Sequence, residues 1–275
     1  MPEMPYGLDE FWANGFCIVP RVFREEEVAR WREAAILHPQ RTLLADPTLR
    51  ELMLDSRVLE IARTILGNDD LVYFGDSNAV VGNPAAGFHK DNVDKSDPNG
   101  PDWVGRYPLI RFGLYTQDHV SDPGGLDLRK GSHLVPTVTD GDYVAARTGV
   151  GDLVIWNLRT SHSGDTMVLR GNRAISPASL AGKVLRRASC GLLKKPQGVR
   201  AAIFWTFGLR GAHLDRYIAY LKTRRYAVDR WATDVYDPAA LKAAEDAGVF
   251  VRPVRSELEA DPPARVYENH FPLAY

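Results

Sequence analysis

His89 and Asp91 stand one residue apart in Gly87-Phe88-His89-Lys90-Asp91, and His162 follows far downstream in Trp156-Asn157-Leu158-Arg159-Thr160-Ser161-His162. Residues i and i+2 of an extended segment point to the same side, so His89 and Asp91 can reach one metal ion together. A second strand can bring His162 to the same point. Two imidazoles and one carboxylate on one face of an octahedron form the facial triad suited to non-heme Fe(II), with the opposite face open for a cosubstrate and dioxygen. An H-x-D tripeptide taken alone reads equally as a surface histidine beside a surface aspartate.

The surroundings favour the metal reading. Leu71-Val72-Tyr73-Phe74 and Ala79-Val80-Val81 are strand-like runs ahead of His89, and Gly151-Asp152-Leu153-Val154-Ile155-Trp156 is a turn and an apolar run ahead of His162. A third run, from Val199 to Phe207, carries a lone arginine, Arg200, at its head. An arginine entering a buried strand needs an anionic partner, because an unpaired buried charge is very costly. A dicarboxylate cosubstrate would be one.

From about residue 8 to residue 208 the chain resembles the phytanoyl-CoA dioxygenase family of Fe(II)/2-oxoglutarate oxygenases. The resemblance rests on the opening Phe11-Trp12-Ala13-Asn14-Gly15-Phe16-Cys17-Ile18-Val19-Pro20 and a following helix rich in Glu, Val, Ala and Arg. It continues through His89 and Asp91, Gly124-Gly125-Leu126, Gly131-Ser132-His133, Gly151-Asp152-Leu153-Val154, His162, and an arginine opening a late strand. It implies a mainly β fold with helical additions, a double-stranded β-helix (jelly-roll, cupin-like) core. It implies His89, Asp91 and His162 as metal ligands and catalytic centre, Fe(II) as cofactor, 2-oxoglutarate as cosubstrate, and hydroxylation with release of succinate and CO2. Asp91 disfavours a halogenase, since related halogenases carry a small residue at this place.

The chain departs from the family at the cosubstrate arginine, usually about a dozen residues after the distal histidine. Arg173 has that spacing, but Pro177 follows closely, and proline is poorly tolerated in a central strand. We therefore read 171–198 as an insertion and favour Arg200, with Arg173 and Asn78 as further cosubstrate-binding residues and Arg170 a weaker alternative. Trp103, Arg111 and His119 are the expected substrate contacts. Trp103 lies in the long polar stretch 92–108 after Asp91, a stretch that reads as a lid or binding loop, although a loop aromatic can equally be a packing anchor. His133 reads as a structural turn residue.

Length and composition fit one domain over 1–275, with a core over about 68–208, N-terminal helices over 8–67 and a helical region over 212–275. Apolar residues make up 45% of the chain and the net charge is −1, so a large core is available and no general affinity for nucleic acid or anionic membranes is expected. No apolar run is long enough to span a bilayer, and no signal peptide is visible at the start. Cys17 and Cys190 form no metal or redox motif, and Cys17 reads as a small buried apolar residue. A cytoplasmic protein is expected, monomer or homodimer, acting on a small molecule. Interspersed Lys and Arg (Lys90, Lys95, Arg106, Arg111, Arg129, Arg186, Arg187, Lys194, Lys195) lean the substrate towards a polar molecule with an anionic group. A cupin-like metal-dependent isomerase or hydrolase, and a non-catalytic small-molecule-binding barrel, keep the same fold and remain open.

Periodicity and punctuation give helices over 8–14, 24–37, 49–66 (one or two), 213–221 and 238–247. Strands are expected over 16–19, 71–76, 79–81, 109–117, 126–128, 153–156, 166–169 and 201–207.

Overall fold

A computed structural model describes residues 7–82, 87–164, 166–187 and 191–268. A short helix α1 (Phe11–Asn14) ends at Gly15 and leads into strand β1 (Phe16–Val19). Gly15 has φ +86°, and a Cβ there would lie 2.4 Å from His133 Nδ1 and 2.8 Å from Thr160 Oγ1. Only glycine fits both the conformation and the space. Helix α2 (Glu25–Leu37) has three acids in its first turn and buries Val28, Trp31 and Ala35 on one stripe. The expected helix over 49–66 is two: α3 (Pro47–Met53), capped by Asp46, and α4 (Ser56–Leu66), capped by Asp55 and closed by left-handed Gly67. Asp55 takes the Arg57 amide at 2.9 Å and so starts a new helix where the apolar pattern continues unbroken.

The strands follow as β2 (Leu71–Tyr73), β3 (Ser77–Val81), β4 (Leu109–Tyr115), β5 (Leu126–Lys130), β6 (Asp142–Ala146), β7 (Leu153–Asn157), β8 (His162–Ser163), β9 (Met167–Val168) and β10 (Ala174–Ile175). After helix α5 (Leu180–Arg187) comes β11 (Ala201–Gly208). The C-terminal part holds α6 (Ala212–Lys222), α7 (Arg225–Thr233), α8 (Pro238–Asp246), β12 (Val249–Val251) and α9 (Val254–Ala260). A seven-stranded sheet runs β1-β7-β4-β11-β2-β12, with β3 also on β11, and a three-stranded sheet runs β6-β5-β8. The two form the expected double-stranded β-helix, flanked by helices. No described helix is long and apolar enough to cross a membrane.

Strict alternation divides the large sheet. Ile110, Phe112 and Leu114 of β4, Leu153 and Ile155 of β7, and Ile203, Trp205 and Phe207 of β11 face helices α2–α4. Their register pairs Trp205 with Phe112, whose rings stack at 5.2 Å. Each such side chain contributes on the order of 1.5–3 kcal/mol by leaving water. The alternate positions, Arg111, Gly113 and Tyr115 of β4, Val154 and Trp156 of β7, and Ala202, Phe204 and Thr206 of β11, therefore face the barrel interior. There Tyr115, Val154, Trp156 and Ala202 meet Leu126, Leu128 and Ala146 of the small sheet. Arg200 continues the inward set of β11. Helices α6 and α7 close the other end, packing Leu214, Tyr217, Ile218, Leu221 and Trp231 against Val72, Phe74, Leu109 and Leu158.

Within 171–198, β10 pairs only with β9, Ala174 opposite Val168, as a small separate sheet. Arg173, itself exposed, precedes the second strand of that hairpin and not a barrel strand. Cys17 is fully buried in the core, and burial raises its thiol pKa far above the ordinary value. Cys190 lies outside the described residues.

Candidate metal centre

The turn leaving β7 is fixed at several points. The Asn157 side chain donates to Tyr107 O at 2.7 Å and accepts from Arg159 N at 3.0 Å. Thr160 Oγ1 donates to Gly15 O at 2.7 Å, and Ser161 N donates to Ser132 Oγ at 2.9 Å. His162 then meets His89 in an isolated antiparallel bridge. Asp91 N donates to Leu158 O at 2.9 Å, so 89–91 lies extended along 158–162 without being part of a longer strand. His89 and Asp91 face one way and Lys90 the other. Lys90 is fully buried, with Nζ donating to Arg159 O at 2.7 Å and to Ser132 O. Burial, reinforced by the Arg159 charge, lowers its pKa to about 7. Lys90 thus ties the ligand-bearing segment to two loops from behind.

In front, ligand atoms of His89, Asp91 and His162 lie within 4.8 Å of one another. His89 Nε2 is 3.8 Å from Asp91 Oδ1, and His162 Nε2 is 3.5 Å from Asp91 Oδ2. Metal–nitrogen bonds of about 2.0–2.1 Å require neighbouring donors only slightly closer than this. Each Nδ1 faces a carbonyl, Gly87 O at 3.1 Å for His89 and Thr160 O at 3.0 Å for His162. The Nδ1 atoms therefore carry the protons and both Nε2 lone pairs point to the common centre. Burial, then the neighbouring His89, lowers the His162 pKa to about 3, which keeps it in the neutral form that ligation needs. Burial alone would raise the pKa of Asp91. The Arg111 charge, followed by His162 and His89, outweighs burial and holds the carboxyl below the usual range. The donor set thus fits a non-heme iron.

Behind Asp91 lies a network that the sequence reading did not find. Arg111 Nη1 donates to Asp91 Oδ2 at 2.9 Å, Nε to Thr206 Oγ1 at 3.1 Å, and Nη2 to Asp76 Oδ2 and the Tyr217 hydroxyl. Thr206 and Tyr217 donate in turn to Asp76 Oδ2 at 2.8 and 3.2 Å. Arg111, expected to contact substrate, is instead engaged on Asp91, and all its nitrogens have partners. The signal was present: an arginine at an inward position of β4 calls for buried anions, as argued for Arg200. Asp76 follows a glycine in a short connection and carries no pattern.

Arg200 is 6% exposed. Its Nε donates to Gly124 O at 2.6 Å, and its Nη1 is buried with no hydrogen-bond partner among the described residues. Leu128 pairs with His162, and Gly124, to which Arg200 is tied, lies four residues back along that chain, so Arg200 is displaced along the barrel from the metal ligands. It also lines a groove of about 1160 Å³ with Gly124, Thr166, Arg170, Lys194 and Lys195. The triad does not line this groove, which meets the barrel at its arginine end. Asn78 of β3 pairs with Phe204 and so faces the interior beside the same strand, while Arg173 is exposed. His119 is buried against the Tyr115 ring.

Trp103 is a packing anchor. Its Nε1 donates to Asp94 O and Asp97 O, and Asp102 Oδ2 gathers the Val93 and Asp94 amides and the Asn92 side chain. Asp94 pairs with Arg216 of α6 at 2.6 Å. The stretch 92–108 is therefore pinned by its own carboxylates, unlike the lid or binding loop its composition suggested. His133 is structural, with Nε2 facing Trp12 O at 2.9 Å.

The chain matches no protein-family model and no curated protein. It is similar in fold to several solved structures. AviO1 from Streptomyces viridochromogenes Tue57 aligns with TM-score 0.52 at 15% identity, over 74% of this chain and 94% of that one. HygX from Streptomyces hygroscopicus, with nickel, 2-oxoglutarate and hygromycin B bound, aligns with TM-score 0.52 at 17% identity over 76% and 87%. The non-heme α-ketoglutarate-dependent epimerase SnoN from nogalamycin biosynthesis aligns with TM-score 0.50 at 16% identity over 74% and 80%. At these identities the likeness establishes the shared fold.

Proposed function

We propose that this chain is an Fe(II)- and 2-oxoglutarate-dependent oxygenase of the phytanoyl-CoA dioxygenase type, hydroxylating a polar small molecule. The observation that carries the reading is the convergence of two Nδ1-protonated imidazoles and one charge-held carboxylate on a single point inside the barrel. HygX, of the same fold, was crystallised with a metal and 2-oxoglutarate, which supports it.

His89, Asp91 and His162 would hold the iron. Arg111 keeps Asp91 ionised and oriented by occupying Oδ2. Arg200 takes the distal carboxylate of 2-oxoglutarate through its free Nη1 in a charge-assisted contact, with Asn78 on the neighbouring strand lining the same space. Bound iron, 2-oxoglutarate and dioxygen together supply a two-electron oxidation of substrate coupled to release of succinate and CO2. Trp156, whose ring centroid is 5.3 Å from that of His162, and Phe204 wall the site and exclude water.

The charge argument for a polar, anionic substrate narrows. Lys90 and Arg111 are committed internally, Arg106 lies over the Trp12 ring, Arg129 over Phe88 and Lys95 near Tyr220. Arg170, Arg186, Lys194 and Lys195 of the groove beside Arg200 still support it. The protein acts as a monomer or homodimer in the cytoplasm. The test is succinate release from 2-oxoglutarate by Fe(II)-loaded protein, alone and with a metabolite library. Absence of both turnover and 2-oxoglutarate binding overturns the reading.

A further inference from the structure

Arg200 is not the only side chain at its end of the barrel with an unsatisfied polar atom. Tyr115, the last inward residue of β4, is fully buried, and the Arg200 side chain is the hydrogen-bond partner of its hydroxyl among the described residues. His119, 1% exposed, has an Nε2 with no partner among the described residues. The three side chains form one cluster. The Arg200 guanidinium carbon is 5.4 Å from the Tyr115 ring centroid, and the Tyr115 and His119 rings meet edge to face at 5.3 Å. Gly124 lets them close up. With φ +88°, a Cβ there would stand 3.3 Å from Arg200 Cδ and 3.8 Å from His119 Cε1. Buried polar atoms in folded proteins are normally satisfied, so Arg200 Nη1 and His119 Nε2, both unpartnered among the described residues and both beside the Tyr115 hydroxyl, mark a ligand site.

We propose that Tyr115 and His119 complete, with Arg200, a cradle for the distal carboxylate of 2-oxoglutarate, and that His119 takes up a proton when the diacid binds. The inference rests on the oxygenase reading above. The chemistry follows from the tautomer. His119 Nδ1 faces Asp122 O at 3.4 Å, so Nδ1 carries the proton of the neutral ring and Nε2 is bare. A bare nitrogen repels a carboxylate, whereas a protonated one donates to it. Without the diacid, burial and then the Arg200 charge lower the His119 pKa, opposed by the Asp122 and Pro123 carbonyls and, least, by Asp118. Asp127, whose charge acts on Tyr115 and whose carboxyl burial raises to about 7, is the other group titrating nearby, and the His119 variants separate its protons from those of His119. Of the other nearby cations, Lys194 is tied to Ser121 O, Arg147 to Val120 O and Arg32 to Val199 O, while Arg170, Arg186 and Lys195 line the groove outside Arg200. A bound carboxylate neutralises Arg200 and reverses the balance at His119. Burial also pushes the Tyr115 hydroxyl up to about 12, so it stays a donor throughout.

The test compares 2-oxoglutarate with 2-oxobutanoate, which keeps the keto acid end and lacks the distal carboxylate. Oxygen-free Fe(II)-loaded protein is titrated calorimetrically between about pH 8 and pH 6, in buffers of unlike ionisation enthalpy. Wild-type protein takes up as much as one proton with 2-oxoglutarate and binds it up to about tenfold more tightly per pH unit fallen. 2-Oxobutanoate shows neither excess, which separates this effect from protonation of the iron ligands. His119→Gln, which donates at every pH, abolishes the slope and keeps most of the affinity, whereas His119→Phe loses affinity mainly near pH 6. Iron content and melting temperature of both variants report whether the barrel is intact. Buffer-independent heats for wild-type 2-oxoglutarate binding, or a slope retained in His119→Gln, overturn the proton coupling while leaving the oxygenase reading standing. If neither keto acid binds wild-type protein, the oxygenase reading fails and takes this inference with it.

Discussion

His89 and His162 face each other across a single antiparallel bridge. His89 N donates to His162 O at 3.0 Å and His162 N donates to His89 O at 2.9 Å, with ring centroids 4.3 Å apart. The backbone, not the imidazoles, therefore sets the spacing of the two rings. His162→Ala should leave the bridge and the fold intact while removing one ligand. Perturbing residues that merely orient metal ligands costs about 10–100-fold in affinity, so loss of a ligand should exceed that range. Iron analysis of the purified variant, with a far-UV spectrum as the fold control, checks this. Full iron occupancy would refute the triad.

Arg111 is the second point of control. Arg111→Met leaves Asp91 and Asp76 buried without their cation, which should cost about 3–5 kcal/mol. The sign of the pH dependence follows from Asp91, whose pKa in the folded protein is depressed. Such a group stabilises above its unfolded pKa, and the contribution disappears as pH falls through the folded value. The wild-type advantage over Arg111→Met in denaturant titrations should thus be full at neutral pH and shrink in acid. An equal difference at all pH values would mean that the loss is packing and not charge.

Much of this site was legible because its logic is local. The i, i+2 ligand pair needs only an extended backbone, and alternation in Leu109-Ile110-Arg111-Phe112-Gly113-Leu114-Tyr115 already separates helix-facing from interior-facing residues. What escaped depends on tertiary partners. β6 is an edge strand, largely half-exposed, so its apolar pattern is blurred. Helix α7 hides only Ala227 and Trp231 among charged neighbours, and three-residue β12 acquires its identity by pairing in parallel with β2. The polar stretch 92–108 read as a lid or binding loop by composition, because no sequence rule foretells that Asp102 will gather three N–H donors from eight to ten residues back.

Acid should weaken the metal-free protein through its buried neutral histidines. Burial, despite the Trp12 carbonyl, lowers the His133 pKa to about 4, and that of His162 lies near 3. Both rings would protonate near their ordinary value once unfolded, so the unfolded state binds more protons between about pH 6.5 and pH 4. Stability should fall with decreasing pH over this window, by about 1.4 kcal/mol per unit for each histidine. His133→Gln should be less stable at neutral pH but show a shallower decline. An unchanged slope in that variant would locate the protonation elsewhere.

The two arginines offer the sharpest separation of alternatives. Arg200 is buried at the head of a barrel strand with Nη1 unpartnered among the described residues, whereas Arg173 is exposed and precedes a half-buried two-residue strand that pairs with β9. Removing one side of a buried charge pair costs about 2–5 kcal/mol, or roughly 30- to several-thousand-fold in affinity. Arg200→Leu should therefore raise the 2-oxoglutarate requirement into that range, while Arg173→Leu should change it less than about twofold, as expected for an exposed charge in a high dielectric. Arg200→Lys should recover only part of the loss, since an ammonium cannot make the forked contact. Direct titration of 2-oxoglutarate into metal-loaded protein gives the ranking. If Arg173→Leu is the damaging substitution, the β9–β10 hairpin must fold over the barrel mouth when the diacid binds, and the conventional spacing from the distal histidine holds after all.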